Sequence, residues 1–318
     1  MFFRRIVAVL VFGVLLCAGL FAQAATAFDG DEFNTHIKKY VDNVSRLIPD
    51  SVTTQNIWSM SPSSHRGLWG VGLNACITLA DKNKVGGLGS SAIAFTGAQE
   101  GIPFLPAFAV DLRGGWKYFD IGITGMWVDT DMIEGLASVV GEGSYYAHRT
   151  IGLDARLALL SDGVNSFFGL RIPGKMIPAL TFQMGYYFTW MSLGFQGNND
   201  TNYINMDFRN DAYFFALQVS KKFVNNLLTP FGGFKMIISS TVTEYDWATE
   251  REVDLKGENY IGGAKYSSGT DTRDTYTYLH LYGGLGIYFM RMIDLTIGMS
   301  VNLISGHFTA TAALRFVF

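Results

Sequence analysis

The feature that most constrains this chain is a two-residue alternation that keeps charge off one of its two rows. In His307–Phe318, HFTATAALRFVF, the residues Phe308, Ala310, Ala312, Leu314, Phe316 and Phe318 form a wholly apolar row. The intervening row, Thr309, Thr311, Ala313, Arg315 and Val317, carries hydroxyls and a charge. Successive side chains of a β-strand point to opposite faces, so this is a strand whose faces meet different surroundings. From Gly67 onward the pattern recurs in about ten segments, the last being this one.

The side that holds the charges decides how the alternation is read. Asp111, Arg113, Asp154, Arg156, Lys235 and Arg315 all fall on the row opposite the apolar one. A lipid-facing Lys or Arg at the bilayer midplane costs about 2–4 kcal/mol, so a membrane barrel must enforce such segregation. A soluble barrel alternates in the opposite sense, and composition breaks the tie. Charged residues are 16% of the chain, hydrophobic ones 49% and aromatics 14%, against roughly 25% charged in a soluble protein. Loop lengths agree. Gly114–Tyr118, Val224–Pro230 and Met290–Ile293 are short, with Ser161–Ile177 the exception. Asp81–Leu105, Asp129–Ser144, Gln196–Asn210 and Trp247–Arg273 are long and polar. Short turns at one rim and long loops at the other are the habit of transmembrane barrels. The expectation is an all-β, antiparallel up-and-down transmembrane barrel of ten strands, with eight or twelve as alternatives. Two aromatic belts are expected near the strand ends, including Trp69, Trp116, Phe231, Phe289 and Phe316 at one rim. Trp127, Tyr145, Trp190, Tyr213, Tyr245 and Tyr276 are expected at the other.

Ahead of the strands the sequence changes character twice. Arg4 and Arg5 precede an apolar run from Ile6 to Leu16, and alanines between Ala22 and Ala27 offer cleavage sites; residues 1–24 read as an export signal. Residues 25–66 then hold a helix and a connector. Phe33, Ile37, Tyr40, Val41, Val44, Leu47 and Ile48 follow helical spacing, and Pro49 marks the expected close. One amphipathic helix must dock its stripe on something: the lumen, the barrel mouth or the membrane surface. The barrel is expected over 67–318.

Reaction chemistry finds little footing. The five His lack paired-ligand spacing, and the two Cys, Cys17 and Cys76, allow no disulfide framework once a leader is removed. Gly70-Val71-Gly72 lies within a strand and no helix follows it, so it does not make a dinucleotide fingerprint. No metal, cofactor, enzymatic activity or nucleic-acid partner is expected, the last because the net charge is -3. The candidate lumen-facing residues are Asp111, Arg113, Asp154, Arg156, Gln183, Lys222, Lys235, His280 and Arg315. Two readings of them stay open: a basic ring that selects solutes by charge, or an ion-paired filling.

With these features together, the chain resembles a Gram-negative-type outer-membrane β-barrel. Leu314, Phe316 and Phe318 resemble the C-terminal signal that such barrels present to the barrel-assembly machinery. That resemblance implies the machinery and outer-membrane lipid as partners. LQVSKKFVNNLLTPFGGFK and YGGLGIYF are similar to segments of uncharacterised exported barrels of spirochaetes and Bacteroidetes. A helix-bearing segment before a barrel also resembles the long-chain fatty acid transporters. The function expected is passive passage or binding of small solutes through a narrow, partly occluded lumen. The alternatives are a non-conducting adhesive barrel with ligand-binding loops and a transporter of hydrophobic compounds.

Overall fold

A computed structural model describes residues 28–53, 58–59, 61–62, 69–79, 104–116, 118–130, 144–162, 166–167, 170–171, 177–196, 203–223, 227–249, 253–255, 258–260, 264–289 and 292–318. The expected export signal, and most of the expected loop Asp81–Leu105, lie outside these. The described part begins with β1 (Phe28–Asp29) and a helix α1 (Gly30–Thr53), followed by β2 (Trp69–Leu79), β3 (Phe104–Trp116), β4 (Phe119–Asp129) and β5 (Ser144–Leu160). The two-residue strands β6 (Ser166–Phe167) and β7 (Leu170–Arg171) pair with each other. Next come β8 (Ala179–Gln196), β9 (Tyr203–Ser220) and β10 (Leu228–Thr249). A small hairpin of β11 (Val253–Leu255) and β12 (Glu258–Tyr260) precedes β13 (Ala264–Phe289), β14 (Ile293–Asn302) and β15 (Phe308–Val317). Ten of these strands close a barrel in the order β2-β3-β4-β5-β8-β9-β10-β13-β14-β15, each antiparallel to its neighbours. The β11–β12 hairpin adds no barrel strand; β1 pairs with it instead.

The apolar rows face outward. Along β2, Trp69, Leu73, Ile77 and Leu79 are exposed while Gly70, Gly72, Asn74, Cys76 and Thr78 are buried. The same holds on β4 for Ile121 and Ile123 against Asp120 and Thr124, and on β15 for Leu314 and Phe316 against Thr311 and Arg315. Closure satisfies every strand edge, the condition for backbone in hydrocarbon. At eleven residues, β2 has the length a tilted strand needs to cross the apolar core. Most of the expected belt follows: Trp69, Trp116, Phe289 and Phe316 lie outward at one rim, and Trp127, Tyr145, Trp190 and Tyr213 at the other. Phe231 and Tyr245 depart from it, both turned inward and buried.

Tyr245 turns inward because the wall reverses its polarity. On β9 the outer row runs Val219, Leu217, Phe215, Tyr213 and then Asp211, Arg209, Asp207, Asn205. The inner row does the opposite, passing from Ser220 and Gln218 to Phe214, Phe208, Met206 and Ile204. On β8 the inner row changes from Thr181 and Gln183 to Met191, Leu193 and Phe195, and on β10 from Lys235 to Tyr245 and Trp247. These strands continue past the membrane as the wall of a soluble barrel, greasy inside and polar outside. This corrects two expected loops. Residues 203–210 belong to β9, and both ends of Trp247–Arg273, residues 247–249 and 264–273, belong to the extended strands β10 and β13. The reversed faces read as polar loop in the sequence because strand and surroundings change sign together.

The helix fills that greasy upper interior. Ile37, Tyr40, Val41, Val44, Leu47, Ile48 and Val52 are all at most 1% exposed and share one core with Phe195, Ile204, Met206, Phe208 and Trp247 of the wall. The Tyr40 ring meets Phe195 edge-on, with centroids 6.5 Å apart. Lys38, Lys39 and Arg46 lie on the opposite, exposed face. Of the three docking sites open to the helix, it takes the lumen. It also runs on past its expected close, with Pro49 inside it. An interior proline costs about 3 kcal/mol, and the bonds that the turn after Pro49 makes to the wall offset this.

Candidate functional site: the lumen neck

Three anchors fix the lower end of the helix. Asp50 is fully buried; His307 donates to its Oδ2 from Nδ1 at 2.7 Å, and His280 Nε2 stands 2.9 Å from Oδ1. Asn302 Nδ2 donates to both carboxylate oxygens at 3.1 and 3.2 Å. One carboxylate thus ties the plug to β13, β14 and the approach to β15. Cys76 Sγ lies 3.1 Å from the Ser51 carbonyl. Lys235 Nζ donates to the Thr53 carbonyl at 2.6 Å. The last turn of α1 holds no basic residue, so Lys235 supplies from the wall the cation that a helix C-terminus favours.

Below the helix the connector enters a neck lined with charge. Arg113 binds both Asp120 and Asp154. Arg156 grips Asp120 through two bonds, Nε to Oδ1 at 2.9 Å and a terminal nitrogen to Oδ2 at 2.5 Å. Gln183 donates to Asp154 at 3.1 Å. Arg315 donates to Asn74 Oδ1 at 2.7 Å and lies 3.6 Å from Asp111, which Asn74 also contacts. In the middle sits the indole of Trp58. The guanidinium carbons of Arg315, Arg156 and Arg113 are 4.3, 5.0 and 5.1 Å from its ring centroid. Cations over an aromatic face attract it by about 0.5–2 kcal/mol each. Next to it, Ser59 donates to Asp294 at 3.1 Å, and Gln218 donates to the Trp58 carbonyl at 2.7 Å.

The wall makes room for the connector with glycines. A Cβ on Gly70 would stand 3.1 Å from the Trp58 ring, and one on Gly286 would strike Ser59 at 2.2 Å. Gly286→Val is therefore expected to push the connector out of the neck. Limited proteolysis should then cut between residues 54 and 68 faster than in the parent; an unchanged digestion rate would show that Ser59 is not held there.

Eight of the nine lumen candidates, all but Lys222, are buried on the inner row. Asp111, Arg113, Asp154, Arg156, Gln183 and Arg315 converge on the neck, while Lys235 and His280 hold the helix. Lys222 is the correction. It lies two residues beyond β9, half-exposed, and its backbone N–H donates to Asp162 at 2.8 Å. Leu314, Phe316 and Phe318 are exposed on the outer wall. The sequence reading missed Asp120 and Asp294, although each sits on a polar row between apolar residues and the alternation marks them. It also missed Asp50, Trp58, Asn302 and His307, whose roles depend on the plug being inside. The charges are interleaved rather than a basic ring: three arginines face Asp111, Asp120, Asp154 and Asp294.

No protein-family model and no curated protein matches the chain. Among solved structures it is similar to the translocator domain of autotransporter NalP from Neisseria meningitidis. That match has 10% identity and a TM-score of 0.39, covering 93% of this chain and 100% of the other. It is also similar to the outer membrane protease OmpT from Escherichia coli, with 12% identity, a TM-score of 0.38 and 79% and 94% coverage. A third is the outer membrane protein Omp33 of Acinetobacter baumannii, at 9% identity, a TM-score of 0.28 and 80% and 100% coverage. The closed wall with its apolar outer band has the form of a membrane-spanning β-barrel.

Proposed function

We propose that the protein is a gated, non-enzymatic conduit for small solutes, closed at rest by its own N-terminal segment. One observation carries this reading: the Trp58 indole stands inside the lumen among three buried arginines. The plug is held there by individual polar contacts rather than by a continuous apolar seam, and such contacts exchange for water when a segment shifts. Planar-bilayer recordings of the refolded chain test it. The whole chain is expected to be silent, and a chain lacking residues 25–66 to pass a steady ohmic current. Silence from a truncated barrel that still shows folded-barrel circular dichroism would sink the proposal.

A second reading, passage of apolar compounds, draws on the upper lumen. There Phe195, Met206, Phe208 and Trp247 line the space that the helix now occupies. It calls for uptake of an apolar dye to rise with plug displacement while ion current does not.

A further inference from the structure

The outer wall carries a hollow unrelated to the lumen. A groove of about 690 Å³ crosses β15, β2, β3, β4 and β5 on the face that meets hydrocarbon. Its floor follows one hydrogen-bonded row, Leu314–Leu73–Val110–Gly125–Ile151. The row dips at Gly125, where an added Cβ would meet nothing within 4 Å. Trp127 closes the groove toward the long-loop rim.

At that end the chemistry changes. Arg149, two residues from Ile151 on the same face, is 53% exposed and lies over the Trp127 ring at 4.8 Å. Its carboxylate neighbour, Asp129, is 4.0 Å away and is also approached by the Tyr145 hydroxyl at 3.5 Å. In register on the other side stand Trp190 and then Arg209, which makes no ion pair among the described residues. A half-exposed guanidinium between two tryptophans, directly above an apolar groove, offers one ligand two kinds of contact. We propose that this face binds an anionic lipid of the outer leaflet, with its net-negative headgroup on Arg149 and an acyl chain in the groove over Gly125. The wall side supports that occupant: a soluble anion would leave the groove empty, and a lipid without net charge would gain less from the half-exposed Arg149.

Native mass spectrometry of the refolded full chain tests this. The protein is released from micelles holding equimolar phosphatidylglycerol and phosphatidylcholine with identical acyl chains. Retention of phosphatidylglycerol should exceed that of phosphatidylcholine by about fivefold, the worth of one partly exposed charge pair. Arg149→Gln should bring the two lipids to parity with total lipid retained. Gly125→Leu, whose side chain enters open space, should reduce retention of both. Equal retention by the parent, or a preference that survives Arg149→Gln, overturns the headgroup assignment. Undiminished lipid on Gly125→Leu overturns the groove, and displacement of the lipid by inorganic phosphate would make this an ion site instead.

Discussion

Replacing Asp50 with alanine is expected to unseat the plug while the barrel stays closed on itself. This carboxylate is the one side chain of α1 that ties it to His280, Asn302 and His307 together. Removing one member of a buried ionic cluster costs about 3–5 kcal/mol, because the partners are left behind without their charge. The loss falls on the seated state of the plug, since β13, β14 and β15 keep their ladders without it. Single-channel recordings of Asp50→Ala should show openings that the parent lacks, and the connector should become accessible to protease. Acid should do the same to the parent. Burial alone would raise the Asp50 carboxyl, but the hydrogen bonds and charges of His280 and His307 outweigh it and hold the group below the ordinary carboxylate range. A carboxyl depressed in the folded state stabilises the seated plug above the ordinary range, and that contribution disappears as pH falls through the lowered value. Openings that begin only in strong acid, and that Asp50→Ala shows at neutral pH, are the expected pair. A variant that stays closed with an undisturbed digestion pattern would remove Asp50 from the role of anchor.

Arg113→Leu should have the largest effect on the barrel itself. Arg113 is 4% exposed and answers two buried carboxylates on neighbouring strands, Asp120 of β4 and Asp154 of β5. Asp120 would keep the two bonds from Arg156, and Asp154 would keep only the neutral donor among its named partners, Gln183. Removing its closest cation should destabilise the folded barrel by about 3–5 kcal/mol, read as a lowered urea midpoint in lipid vesicles. The double variant Arg113→Leu/Asp154→Asn should recover part of the loss, because the stranded charge is gone. No recovery would mean that the guanidinium acts through packing on Trp58 and not through its ion pairs.

The barrel was legible because two rows with opposite chemistry repeat with period two, and lipid forbids charge on one of them. That logic placed Arg113, Arg156 and Arg315 inside and Leu314 and Phe316 outside. It failed above the membrane, where Asp207 and Arg209 take the outer row while Met206 and Phe208 take the inner one. There the rule linking row to side reverses, and a reading that expects one sign along a strand sees only a polar loop. Pro49 misled for a similar reason. Its local cost is real, but Asp50, Ser51 and Thr53 are each held by the wall, and contacts made across the lumen leave no trace in local spacing. The role of Trp58 was equally hidden, because nothing in its Ser- and Pro-rich surroundings marks a residue that three distant arginines will enclose.

The change of sign along β8, β9 and β10 has a consequence for how the molecule is put together. Water would wet an empty upper chamber lined by Phe195, Ile204, Phe208 and Trp247 only at a cost, so occupation by Ile37 to Val52 stabilises that chamber. The stopper is also the missing heart of a small globular unit that stands on top of the membrane-embedded cylinder. Movement that opens the neck must therefore slide or tilt the lower turn and the Trp58 segment while the upper turns stay in place.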